Sequence, residues 1–405
     1  MKEIKKILVI TPWYPSPKSP LSATFVRDQV EILNNHFNDF DKNISYEFAV
    51  LHIKQPVDWV NLFVRKKYPE RLQINNDGSG ISVIHQQAVI PSHRFKFLKQ
   101  SRIRKNEMQG WDKAINVLGG VPELIIAVTL SGLIITDDLV KELGLNIPVI
   151  LHEHSNPVSM HMRTAERRQQ AIRALNNTTY IVAAGNKSYD QLQEITAGKK
   201  IYLIYNAVHQ DFCAASIKTI PPTTPLNLIS VGHLVPDKAQ SIQLKALSKI
   251  STSTVAKLEI IGEGNLKESL LSLSKELGLN NRLILRGGLK REEIIHALQA
   301  ADVFIFSSRT ENCPVALLEA QTIGLPCVCI ENGGSENVLL PGNGIVVKKD
   351  DSGGTLQVGI EKIIADIDTY DRTNIKDNAM RHYSPEIFAR KFYDVVQKAL
   401  TSAIK

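Results

Sequence analysis

The residues with the most chemical content lie between Ser307 and Pro326, SSRTENCPVALLEAQTIGLP. Two glutamates with seven residues between them stand here, Glu311 in a polar loop and Glu319 inside a predicted helix. Pro314 at the first helical position and Gly324 just past the end mark the helix limits. Its open N-terminus offers backbone N–H groups and a positive dipole end, which suits a diphosphate. Pro314 gives up one N–H there, while Cys313 and Val315 keep theirs. Glu319 shares a face with Val315, Leu318 and Thr322, so an apolar-looking face carries a carboxylate. Such a carboxylate needs donors, and the vicinal hydroxyls of a ribose or hexose supply them in pairs. A partly exposed Glu319 and a plain loop charge at Glu311 is the bland alternative for the pair taken alone.

A second element, Leu226–Ala246, reads LNLISVGHLVPDKAQSIQLKA. A strand ends at Gly232, and Asp237 is the expected N-cap of the following helix. Lys238 then falls in the first helical turn, where a cation opposes the helix dipole unless an anionic ligand arrives beside it. A solvated surface lysine is the alternative. A third element, Leu258–Leu270, is strand, Gly262-x-Gly264, helix. Lys267 holds the third glycine position and no acidic strand end follows about twenty residues on, so it reads as a glycine turn rather than a dinucleotide site. In HEHS, His152 and His154 lie two apart, on one face if the strand continues. No third metal ligand is evident, and a structural role remains open for both.

These elements need a scaffold, and short β-branched runs alternating with helical stretches predict parallel sheets covered by helices. Strands are expected at Ile7–Thr11, Phe48–Ile53, Ile81–Gln87, Leu124–Val128, Val149–His152, Tyr180–Ala184 and Ile201–Tyr205. A second set is expected at Leu226–Val231, Lys257–Ile261, Leu283–Leu285, Val303–Phe306, Cys327–Ile330 and Gly344–Val347. Leu124–Ile135, the longest apolar run, reads as a buried strand followed by a turn, and is too short to span a membrane. Proline-rich Ala214–Pro225 reads as a linker. The expected organisation is therefore a domain over 1–212, a linker over 213–225, a domain over 226–380 and a C-terminal helix over 381–405 that packs back toward the first domain. Cys213, Cys313, Cys327 and Cys329 fit neither a disulfide framework nor a zinc site. A short apolar run ended by Pro12 argues against a signal peptide, so a cytoplasmic location is expected. The net charge of +7 favours anionic partners.

The ordered set VGHL…DK, IIGEGNLK, LILRGGL, ADVFIFSSRTENCPVALLEAQTIGLPCV and ENGGSENVL resembles the family-four retaining glycosyltransferases. The first domain resembles them more loosely, through TPWYPSPKSPLSATFVRDQ, ILHEHS and YNAVHQDF. The resemblance implies the GT-B fold, an α/β architecture of two facing Rossmann-like domains with an interdomain cleft. It implies transfer of a hexose-type sugar from a nucleotide-diphosphate donor to a glycan or lipid-linked glycan, as in surface polysaccharide biosynthesis. Carried over by position, Lys238 would neutralise the donor diphosphate, Glu311 would hold the donor sugar and Glu319 the ribose. Asn312, Cys313, Pro314 and Val315 would line sugar and phosphates, with Gly232, His233, Gly262 and Ala23 beside the donor and Leu289 near the base. His154 would face the reacting carbon. Front-face attack, with the departing phosphate taking the acceptor proton, would need neither a metal nor another cofactor.

Three positions depart from the family pattern. His233 replaces a common arginine with a titratable imidazole. Ser22-Ala23-Thr24 stands where a glycine is common, and Cys313-Pro314 replaces an aromatic–glycine pair. Six basic residues with interleaved apolar ones in His93–Lys105 suit the inner face of an anionic membrane or a lipid-diphosphate acceptor. A basic solvated loop and helix start fits equally, and no nucleic-acid module accompanies the charge. A GT-B epimerase or phosphorylase, or a non-catalytic sugar-nucleotide-binding subunit, would share the same fold.

Overall fold

A computed structural model describes residues 2–58, 73–76, 80–90, 96–196, 198–217 and 225–402. Contacts divide the chain into two units, Met1–Ala184, Ser188–Ile204 and Ala389–Lys405 in the first, Gly185–Lys187 and Tyr205–Phe388 in the second.

The first unit is built on β1 (Glu3–Thr11), β2 (Ile44–Asp58), β3 (Gln73–Asn76), β4 (Ser82–Ile90), β5 (Leu124–Val128), β6 (Val149–Glu153), β7 (Tyr180–Ala183) and β8 (Ile201–Leu203). Their spatial order is β3-β4-β2-β1-β5-β6-β7-β8, parallel throughout except for antiparallel β3–β4. Helices α1 (Thr24–Phe40), α2 (Lys96–Leu118), α3 (Thr129–Glu142), α4 (Ala165–Asn177) and α5 (Asn186–Ile195) accompany them. β5 is buried at every residue, LIIAV, as a strand with packed layers on both faces must be. The apolar run does not turn after β5. α3 starts at once, through Thr129 at φ 63, and Leu130, Leu133 and Ile134 pass into the core on helical spacing. β3 is an edge strand of four residues, QINN, whose polarity hides it from pattern reading.

The second unit holds α6 (Gln210–Ala214), β9 (Leu226–Val231), α7 (Gln240–Leu247), β10 (Val255–Ile261), α8 (Lys267–Glu276), β11 (Leu283–Gly287), α9 (Arg291–Ala300), β12 (Val303–Phe306), α10 (Val315–Thr322), β13 (Cys327–Ile330), α11 (Ser335–Val338), β14 (Gly344–Val347), α12 (Gly354–Ala365) and α13 (Arg372–Tyr383). Its six strands are all parallel, in the order β11-β10-β9-β12-β13-β14. The division between units falls at Ile204/Tyr205. Val208 N–H bonds the Tyr383 carbonyl, and Phe212 packs with Ile229 and Phe304, which ties 205–212 to the second unit. Gln299 and Lys376 likewise hold the carbonyls of Ser216 and Ala215. The 218–224 part of the expected linker lies outside the described residues.

The last helix, α14 (Pro385–Ser402), counts with the first unit from Ala389 onward. There Tyr393 sets its ring edge against Phe37, Phe40 and Tyr46, and Gln397 donates to the Tyr46 hydroxyl at 2.5 Å. No helix of the described residues is long and apolar enough to cross a membrane.

Candidate active site

In the second unit the strand order reverses at β9, which has β10 on one side and β12 on the other. Open parallel sheets leave a crevice at such a reversal, outside the strands' carboxyl ends. The loops after β9 and β12 enter it, and they carry Lys238 and Glu311. Lys238 Nζ donates to Glu311 Oε1 at 2.5 Å, with side-chain exposures of 28% and 14%. The ammonium also lies 5.7 Å from the centre of the Phe306 ring. An ion pair so placed offers an adjustable cation and a carboxylate acceptor to one ligand.

Lys238 ends a 3-10 turn, Pro236–Lys238, rather than opening an α-helix. Asp237 does not cap α7. Ala239, left-handed at φ 48, holds the N-cap position, and the Asp237 carbonyl accepts from Arg309 N at 2.7 Å. The Ser307 hydroxyl donates to the carbonyls of Lys238 and Ala239, at 2.9 and 3.1 Å. Gln243 Nε2 donates to Ser307 and to Ser230, each at 2.9 Å. This buried web locks the backbone beneath Lys238, and pattern reading missed it. A polar Gln243 on the buried side of α7 was its one local signal.

The glycines before the crevice have a steric cause. A Cβ on Gly262 would stand 2.0 Å from the Gly232 carbonyl oxygen, and one on Gly264 2.2 Å from that of Leu234. The turn after β10 thus crosses directly over the turn after β9, where Leu234 N bonds the Glu263 carbonyl at 2.8 Å. His233 is exposed on that turn. Leu289, half-buried, follows β11 at the same end of the sheet.

Asn312 and Cys313 are buried before α10. Cys313 Sγ accepts from Asn206 N at 3.4 Å and its carbonyl from Asn206 Nδ2 at 3.2 Å. Gly185 and Gly334 pass so close that a Cβ on either would fall within 2.8 Å of the Asn312 carbonyl oxygen. Burial pushes the Cys313 thiol up to about 12. Pro314 is the N-cap of α10, one position before its expected place, and Val315 opens the helix with an N–H that has no carbonyl partner within it. Glu319 is half-buried between Leu318 and Thr322. Lys187 Nζ donates to Thr310 Oγ1 at 3.3 Å, a second cation on the Glu311 loop that the sequence did not single out.

Residues 215–382 match the family described as glycosyl transferases group 1. The second unit is a glycosyl transferase group 1 domain. A GDP-mannose-dependent monoacylated alpha-(1-6)-phosphatidylinositol monomannoside mannosyltransferase of Corynebacterium glutamicum is 28% identical over 173 residues, 40% of this chain and 45% of that protein. A UDP-Gal:alpha-D-GlcNAc-diphosphoundecaprenol alpha-1,3-galactosyltransferase of Escherichia coli is 31% identical over 144 residues, 35% of this chain and 33% of that protein. The chain thus spans under half the length of the curated relatives it matches. Sucrose-phosphate synthase from Thermosynechococcus elongatus is similar in structure with a TM-score of 0.73, covering 99% of this chain and 100% of that one at 14% identity. That likeness shows the fold, which is GT-B.

Two of the expected site residues lie outside the glycosyl transferase domain, in the first unit. Ala23 is the N-cap of α1 and is left-handed, φ 53, the conformation that a glycine there would take without strain. Phe25, two residues on, packs against His154 with ring centroids 5.1 Å apart. The His152 and His154 rings lie 4.0 Å apart between centroids, tilted by 55°, and burial, then the charge of His154, holds His152 well below the usual histidine range. In the basic segment, His93–Phe95 lie outside the described residues. Arg104 is engaged by Glu107 and Glu142, so it is a structural cation, while Arg102 and Lys105 are exposed.

Proposed function

We propose that the protein is a retaining glycosyltransferase that moves a hexose-type sugar from a nucleoside-diphosphate donor to a glycan or lipid-linked glycan. The observation that carries this reading is the Lys238–Glu311 contact at the strand-order reversal of a glycosyl transferase domain. Lys238 takes the diphosphate, where negative charge grows as the glycosidic bond breaks. The donor's arrival draws the ammonium onto phosphate and releases Glu311 to accept sugar hydroxyls. Glu319 takes the ribose hydroxyls, and the N–H groups opening α10 face the phosphates. The departing phosphate takes the acceptor's proton, and no metal is required on this route.

The names of the two relatives, one GDP-mannose-dependent and one using UDP-Gal, support a nucleotide-sugar donor. Their names also specify a phosphatidylinositol mannoside and a diphosphoundecaprenol, which support a lipid-linked acceptor. A peripheral membrane contact through His93–Lys105 belongs to the same proposal, and co-sedimentation with anionic vesicles at low salt tests it. The deciding experiment is thermal stabilisation by UDP, GDP, ADP and NAD, with Lys238→Ala and Glu319→Ala alongside. We expect one nucleoside diphosphate to stabilise the wild type and both variants to weaken the effect, with turnover in Lys238→Ala falling about 100-fold. Stabilisation by none of them would overturn the donor site.

A further inference from the structure

Ser307, Arg309 and Glu311 alternate along the loop after β12, and each bonds the turn that carries Lys238 after β9. The Ser307 hydroxyl donates to the carbonyls of Lys238 and Ala239, at 2.9 and 3.1 Å. Arg309 N donates to the Asp237 carbonyl at 2.7 Å. Glu311 accepts from the Lys238 ammonium at 2.5 Å. The two loops are thus laced at successive rungs, and the rungs differ in kind. Those from Ser307 and Arg309 end on backbone carbonyls. The one from Glu311 joins two side chains that solvent reaches, so a ligand can open it.

A carbonyl can only accept, so the one proton of Ser307 points at Lys238 and Ala239, and its lone pairs face Gln243. That orients the Gln243 amide with Nε2 toward Ser307, at 2.9 Å, and leaves its second N–H for Ser230 Oγ on β9, also at 2.9 Å. Gln243 is buried on α7, about one helical turn past left-handed Ala239. Its Oε1 meets no donor among the described residues. A carbonyl so placed counts against stability, and an apolar side chain of the same length would avoid that cost. The amide is therefore accounted for by its two N–H groups, which join β9, α7 and the loop after β12 directly beneath Lys238.

We propose that Gln243 and Ser307 are positioning residues for Lys238. They hold its backbone at a fixed distance from the Glu311 loop, so an arriving anion opens the ion pair and leaves the other rungs closed. The lysine turns from carboxylate to phosphate by side-chain rotation alone, and no loop has to be reordered against the binding energy. Calling that anion the donor diphosphate rests on the glycosyl-transfer reading; the placing of Lys238 against Glu311 does not.

The test uses Gln243→Met, which keeps the side-chain length and loses both N–H groups, and Ser307→Ala as an independent second variant. Urea unfolding of the wild type, Lys238→Ala, Glu311→Ala and the double variant gives the coupling between ammonium and carboxylate. The cycle is then repeated with Gln243→Met present and, separately, with Ser307→Ala present. The coupling should be lost in both repeats. Calorimetric titration with UDP, GDP and ADP supplies the second readout. Each variant should bind the preferred diphosphate about fivefold more weakly, the worth of one hydrogen bond. Gln243→Met should add nothing further in the Lys238→Ala background. Residues with a merely structural role would lower the unfolding midpoint and move neither the coupling nor the affinity of the folded protein. An undiminished coupling, or an unaltered diphosphate affinity, in either folded variant would overturn the proposal. A lost coupling with no diphosphate bound by the wild type would leave it standing and remove the donor reading instead.

Discussion

Lowering the pH should unfasten the first unit at His161, and the size of the effect follows from its surroundings. The ring sits at about 4 in the folded chain against an ordinary 6.5, because it is buried and faces Arg167 and Arg163. The unfolded chain therefore binds the proton more readily across this interval, so stability is full above 6.5 and falls as pH drops toward 4. The gap is worth about 3 kcal/mol in full, and about 2 kcal/mol near pH 4.5 after allowing for solvent at the half-buried ring. The assay is urea unfolding near pH 7 and near pH 4.5, for the wild type and for His161→Gln, whose amide keeps a donor and an acceptor but does not titrate. Buried His152 is also held low and adds to the slope in both proteins, so it cancels in the difference. The wild type should lose about 2 kcal/mol more than the variant over this range. Equal losses would refute the reasoning, since His161 would then not be held neutral by its site. Trp13, 6.4 Å away, offers a local fluorescence check on the same protonation.

Gly262→Ala should cost more than about 3 kcal/mol, because its Cβ would meet a carbonyl oxygen at 2.0 Å and backbone would have to part from backbone. Gly278→Ala, also at positive φ but with nothing within 4 Å, should cost only about 1 kcal/mol, so comparable losses would refute the crossing of the two turns. Ala23→Gly and Ala239→Gly should each gain about 0.5–1 kcal/mol, since left-handed strain of about 1–2 kcal/mol outweighs the added freedom of the unfolded chain. Thermal midpoints read this directly, and a fall in both would refute it. Cys313 and Cys329 at about 12 and Cys213 at about 11 should leave the native thiols inert to a disulfide reagent near pH 8, with all four reacting in urea. Rapid native labelling of Cys313 would contradict its burial.

The glycosyl transferase domain and the first unit share one plan, in which a parallel sheet reverses its strand order and two loops converge at the reversal. Buried polar side chains help to hold each loop. Ser307 and Gln243 do this beneath Lys238, and Glu153 does it beneath α3. An unmade hydrogen bond in such a place costs about 1–3 kcal/mol, which is why the loops keep one conformation.

Composition and pattern determined much of this protein. Leu124–Val128, Val303–Phe306 and Cys327–Ile330 were readable to the residue, because a strand covered on both faces is a continuous apolar run between turn residues. The motif glutamates, Lys238 and the Gly262-x-Gly264 turn were equally visible, since each is a local string. What no string encodes is which strand lies beside which. Lys238 and Glu311 stand 73 residues apart and meet only because β12 pairs with β9 rather than β11. His161 meets Ser131, 30 residues away in sequence, in the same way. The 3-10 turn at Lys238 and the immediate start of α3 depend on left-handed Ala239 and Thr129, residues whose own preferences point elsewhere. Tertiary packing imposes those conformations, because the surrounding contacts outweigh a local strain of about 1–2 kcal/mol.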